Sequence, residues 1–155
     1  MDPLILRYVH IISATLLFGT GLGTAFHGFA AGLSNDIRAM AVVNRNVVLA
    51  DWLFTTPAVI VQPVTGVWLV VELGYPLTTP WILWSLALYV LVGACWLPVV
   101  WLQIRMRHMA VAACNSGTPL PEHCRRYARW WFALGWPAFI GVLAIFWLMV
   151  FRPDL

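Results

Sequence analysis

Residues 4–33 read LILRYVHIISATLLFGTGLGTAFHGFAAGL, thirty positions that contain one formally charged residue, Arg7. A hydrocarbon core about 30 Å thick is crossed by roughly 20 helical residues, so this stretch is long enough to span it. Lipid offers the backbone no hydrogen-bond partners, and the apolar run is continuous rather than alternating, so a helix is expected and a barrel strand is not. The stretch opens after Met-Asp-Pro without a basic segment and runs far past the 7–15 apolar residues of a secretory signal, so it reads as a retained span.

The rest of the chain repeats the pattern. Of 155 residues, 62% are hydrophobic and 10% charged, with ten tryptophans and a mean hydropathy of +0.84. A typical soluble domain has about 25% charged residues, so the main solvent here is lipid. Further apolar segments occupy 52–73, 81–102 and 130–151, which predicts a single all-α integral membrane domain over 1–155, a bundle of four transmembrane helices.

All nine cationic residues are arginine. Without lysine there is neither a Schiff-base nor a P-loop lysine, and the clustered arginines read as membrane topology rather than nucleic-acid binding. Seven of the nine fall in the connections 34–50 and 105–129, and the remaining two, Arg7 and Arg152, lie near the termini. The positive-inside rule then places both termini outside. Tyr8, Tyr75, Trp81, Trp84 and Trp147 fit an outer interfacial belt, and Trp52, Tyr127, Trp130 and Trp131 an inner one. Trp96, Trp101 and Trp136 sit deeper, as bundle packing or as walls around a flat aromatic ligand.

Small residues set how closely the spans approach. Gly19/Gly23 and Gly28/Gly32 are GxxxG pairs, suited to tight helix contact within the bundle or in a homo-oligomer, or to room for a planar cofactor. Pro57, Pro63, Pro98 and Pro137 each free a carbonyl inside a span, and the first two flank Gln62, a polar residue near mid-membrane. A kinked second helix follows.

His10 lies about two turns into the first span, where an imidazole needs a hydrogen-bond partner or a metal. Arg7, one turn earlier, adds a cation on the same face. That pair suits heme b, with His10 on the iron and Arg7 on a propionate, and equally suits a histidine that hydrogen-bonds across helices. One heme cannot use both His10 and His27, which are 17 residues apart, about 25 Å of helical rise. The sixth iron position would then be empty, taken by Met149, or supplied by a second subunit. Asp51 and Arg129 begin the second and fourth spans and are expected to pair as an interfacial salt bridge, with Glu72 and Arg152 able to do the same at the outer side. His108, Cys114, His123 and Cys124 follow no established metal-ligand spacing and read as loop residues. Three cysteines close no disulfide framework.

Several blocks, among them Arg7-Tyr8-Val9-His10, Ala50-Asp51-Trp52-Leu53-Phe54-Thr55-Thr56-Pro57, Gln62-Pro63-Val64-Thr65-Gly66, Trp96-Leu97-Pro98 and Gly135-Trp136-Pro137, resemble an uncharacterised bacterial integral-membrane family, domain of unknown function 2269. The resemblance covers nearly the whole chain. More distantly the layout is similar to HemJ-type protoporphyrinogen IX oxidases and to the membrane domain of CopD-type copper-resistance proteins. The HemJ likeness implies a four-helix heme b scaffold with His10 as iron ligand. HemJ-type enzymes carry a functionally important lysine in the third span, and the corresponding region around Trp84-Ser85 has none, so the likeness implies their scaffold and not their reaction.

The sequence therefore predicts a membrane heme b protein, a possible oxidoreductase acting on quinone or porphyrinogen. The alternatives are a non-catalytic scaffold that oligomerises through the Gly-rich first span and, less favoured, a metal or small-solute transporter.

Overall fold

The computed structural model describes residues 2–153 and is helical throughout, with four helical rods long and apolar enough to cross a membrane. The first rod is α1 (Pro3–Ser34). The second is continuous over Ile37–Glu72 and consists of α2 (Ile37–Ala50), a π-helical turn (Asp51–Thr55) and α3 (Thr56–Glu72). Then come α4 (Pro80–Ser116) and α5 (Glu122–Phe151).

The ends follow from local chemistry. Asp2 accepts from the Leu4 amide at 2.8 Å, with Pro3 at the first position where no amide is needed. Asn35 takes a left-handed conformation (φ 54°) and stops α1. Asp36 then caps α2, its Oδ1 accepting from the Arg38 amide at 2.8 Å. Gly117 (φ 64°) ends α4 where a side chain would be strained.

The helices run well beyond the apolar spans that set their membrane crossings. At 1.5 Å per residue the 37 residues of α4 reach about 55 Å, against roughly 30 Å of hydrocarbon. Much of connections 34–50 and 105–129 is thus helical: α2, the last third of α4 and the first turns of α5 carry seven arginines past one end of the bundle. We call this the arginine-rich end; the other, where α1 starts and α5 finishes, is the terminal end.

The π turn has a local cause. Pro57 has no N–H to return to the Leu53 carbonyl, and its ring crowds that carbonyl. Widening to i→i+5 bonding, seen in Thr56 N–H to Asp51 O, relieves the clash and keeps the rod continuous. It also leaves Asp51 and Thr55 both buried, at 5% and 4% exposure.

α4 and α5 lie along each other, α2 packs on α4, and α1 packs on α3 and α2. By contrast, α1 and α5 meet mainly through aromatic side chains: Phe18 stacks on Phe139 with centroids 5.6 Å apart and meets Phe146 edge-on at 5.5 Å. Phe29 stacks on Phe132 at 5.6 Å. Among the glycines, Gly28 allows close approach, since a Cβ there would lie 3.3 Å from the Trp131 ring. Val70, Trp81, Ile82 and Leu148 form a buried apolar cluster at the terminal end. Most large apolar side chains elsewhere on the rods are exposed, as lipid-facing helices require.

Candidate functional site

Two polar clusters lie inside the bundle, and the first centres on His10. Its Nδ1 is 2.9 Å from Thr65 Oγ1, and its Nε2 is 3.0 Å from Gln62 Nε2. Thr65 in turn donates to the Val61 carbonyl at 2.7 Å. One proton arrangement satisfies the set: the Gln62 amide donates to Nε2, Nδ1–H donates to Thr65, and Thr65 donates to the backbone. The neutral imidazole thereby fastens α1 to α3. Gly66 makes the fit possible, because a Cβ there would come within 3.1 Å of His10 Cε1.

This environment does not fit an iron ligand. Both ring nitrogens are engaged, and the α3 backbone lies against the ring edge between them. Met149 packs beside the Val70–Trp81–Ile82–Leu148 cluster. Arg7 is exposed. His10, Arg7 and Met149, expected as ligand, propionate partner and sixth ligand, line neither of the two cavities between the rods.

The prolines account for further cross-links. Pro63 cannot donate to the Val59 carbonyl, and the Tyr89 hydroxyl of α4 donates to it instead. Ser13 of α1 donates to the Ala58 carbonyl at 3.1 Å. In a membrane such bonds between helices replace the water that a freed carbonyl would otherwise find.

The second cluster centres on Asp51. Its Oδ1 accepts from Thr55 Oγ1 at 3.0 Å, Gln103 of α4 stands beside the carboxyl group, and Oδ2 has no partner. The expected salt bridge to Arg129 is therefore not formed. The π turn carries Asp51 into the interior, whereas Arg129 is exposed. Glu72 and Arg152 are also taken elsewhere: Glu72 accepts from the Trp68 indole at 2.9 Å, while Arg152 donates to the Tyr75 hydroxyl at 3.2 Å and sits over the Trp81 ring.

Asp51, Thr55, Gln62, Tyr89 and Gln103 all line one cavity of about 500 Å³ between the rods. Its remaining wall is apolar and aromatic, including Phe18, Trp96, Trp136 and Phe139. Trp96 and Trp136 thus line a cavity. Trp101 does not, lying instead under the Arg105 guanidinium at 5.3 Å. Three oxygens of the lining residues, Asp51 Oδ2, Gln62 Oε1 and Gln103 Oε1, are buried without a hydrogen-bond partner. Such groups cost about 1–3 kcal/mol each while unpaired. Thr55, Tyr89 and Gln103 carried no expectation from sequence; the one available signal was the donor that Pro63 leaves wanting.

Among the described residues no three of His, Cys, Asp and Glu gather as a metal-binding group. Cys95, Cys114 and Cys124 are free thiols. Burial pushes the Cys124 thiol above its ordinary range. Gly19 and Gly23 face open space within the protomer.

Comparison with known proteins agrees with this architecture. A family model described as predicted integral membrane protein (DUF2269) matches residues 4–153. No curated protein and no solved structure matches the chain.

Proposed function

We propose, for a chain that belongs to the DUF2269 family of predicted integral membrane proteins, that its function is to bind a lipid-soluble ring compound of the quinol class within the bundle. The observation that carries this reading is the mainly apolar cavity of about 500 Å³ whose polar wall holds three partnerless acceptor oxygens. A cavity of this size suits a small organic ligand, and aromatic walls suit a ring. Acceptors without partners select hydrogen-bond donors, which quinol hydroxyls supply and the oxidised quinone does not. Asp51 would take one hydroxyl hydrogen bond and the Gln62 or Gln103 amide the other. The arginine bias supports an orientation with both termini outside, testable by reporter fusions, and the bacterial inner membrane is the location that the family resemblance suggests.

Tryptophan fluorescence tests the binding directly, since Trp96 and Trp136 line the cavity. Titration of the protein in nanodiscs with a short-chain benzoquinol is expected to quench saturably, and Asp51→Leu to weaken the apparent affinity. Quenching that rises linearly with ligand and is the same in both proteins would reflect partition into lipid and reject the reading.

Heme b on His10, the redox reading that the HemJ likeness suggests, is not favoured, because the imidazole has no free nitrogen. Protein purified from heme-replete cells is expected to lack a Soret band that His10→Ala removes; such a band would reinstate that reading. A scaffold role has one observation in its favour, the open Gly19/Gly23 face. Gly19→Leu with Gly23→Leu should dissociate an oligomer held there, and an unchanged oligomeric state excludes it.

A further inference from the structure

A larger cavity, about 940 Å³, lies at the arginine-rich end between the end of α1, α2, α4 and the first turns of α5. Three arginines line it, Arg125, Arg126 and Arg129, against one acidic residue, Glu122. Pro121 precedes α5 without supplying a side-chain cap, so the positive end of that helix is left uncapped beside the arginines. The guanidinium fork is the side chain best matched to phosphate.

Gln103 provides a second observation. It is 6% exposed, its Oε1 has no partner, and it lines this cavity as well as the inner one. Phe29, Trp131 and Phe132 also belong to both walls, so the cationic pocket adjoins the apolar interior. A pocket charged at the interface and apolar inward matches an anionic amphiphile, with phosphate on the arginines and a chain directed into the bundle.

We propose that this pocket is a binding site for the headgroup of an anionic phospholipid whose phosphate is held by Arg125, Arg126 and Arg129. A glycerol hydroxyl of the headgroup provides the donor that Gln103 Oε1 lacks. The three arginines line this pocket and not the inner cavity, and the test reads lipid rather than quinol.

The test is competition for the detergent-solubilised protein by phosphatidylglycerol, phosphatidylcholine and inorganic phosphate, read by native mass spectrometry and by thermal shift. Phosphatidylglycerol is expected to be retained selectively and to raise the melting temperature. Arg125→Gln and Arg129→Gln should each weaken its retention about fivefold, in line with the interaction of one basic side chain with anionic lipid. Arg105→Gln removes the same charge from the same end outside the pocket and should leave retention unchanged. Equal losses in all three variants would assign the effect to general surface charge and overturn the proposal. Equal retention of the two phospholipids would overturn it too, as would stabilisation by inorganic phosphate matching that by lipid, which would mark a soluble-phosphate site. Comparison of each variant's melting temperature without added lipid separates lost binding from lost folding.

Discussion

His10 Nδ1 and Thr65 Oγ1 stand 2.9 Å apart, 55 residues from each other along the chain, and join α1 to α3 within the membrane. Thr65 also bonds its own helix backbone at Val61, so the imidazole is held by a hydroxyl that is itself held. Removing Thr65 leaves His10 Nδ1–H without its acceptor, whereas removing His10 leaves the Thr65 hydroxyl bonded to Val61.

A double-mutant cycle on His10→Ala and Thr65→Val is therefore expected to show coupling of about 0.6–1.7 kcal/mol, the range for hydrogen bonds between membrane helices. Unfolding in mixed micelles measures it. Additive effects would mean that the two side chains do not support each other.

Tyr89→Phe should destabilise by about 1–3 kcal/mol, because it leaves the Val59 carbonyl with no donor. The cost is expected to shrink in a Pro63→Ala background, where residue 63 regains the amide that closes the α3 ladder. If Tyr89→Phe costs the same in both backgrounds, the hydroxyl is not serving the carbonyl freed by the proline.

Asp51→Asn keeps the side-chain shape and an oxygen for Thr55 while replacing the partnerless Oδ2 with an amide donor. A buried acceptor without a partner is costly, so stability should hold or rise on its loss while quinol affinity falls about tenfold or more. Thermal unfolding and the fluorescence titration read the two effects separately. A destabilised variant with full affinity would reverse the roles given to this residue.

Cys124 precedes the apolar part of α5, is 5% exposed, and has its thiol pushed up by burial. Alkylation proceeds through the thiolate, so a raised value moves the onset of labelling to higher pH. Single-cysteine proteins with Cys124 or Cys114 alone, labelled with maleimide across about pH 7 to 9, should show Cys124 lagging throughout. Equal rates at neutral pH would mean that this end of α5 opens.

The spans were legible because the cost of exposing backbone to lipid leaves a continuous apolar run few structures other than a helix. His10 and Gln62 were legible one at a time, each as a polar group needing a partner; that they partner each other depends on how α1 and α3 are rotated. Asp51 and Arg129 both begin apolar spans, which is all that the sequence offers for pairing them. The π turn changes the phase of that rod just where the carboxylate sits, and its trigger, Pro57, foretold a kink but not an inward turn. Gln103 carries no signal in the sequence, because one amide at the edge of an apolar run has no periodic signature. The cavity arises from distances between helices, which no single segment records.

The π turn spends one more residue per turn than an α-helix, so the rod from Ile37 to Glu72 holds a spare position between Asp51 and Thr55. A chain shorter by one residue there could close as plain α-helix, leaving α2 and α3 in their present phases against their neighbours. Chain length at this point is therefore a variable in its own right: relatives with one residue fewer would share the bundle and differ in whether a carboxylate reaches its interior.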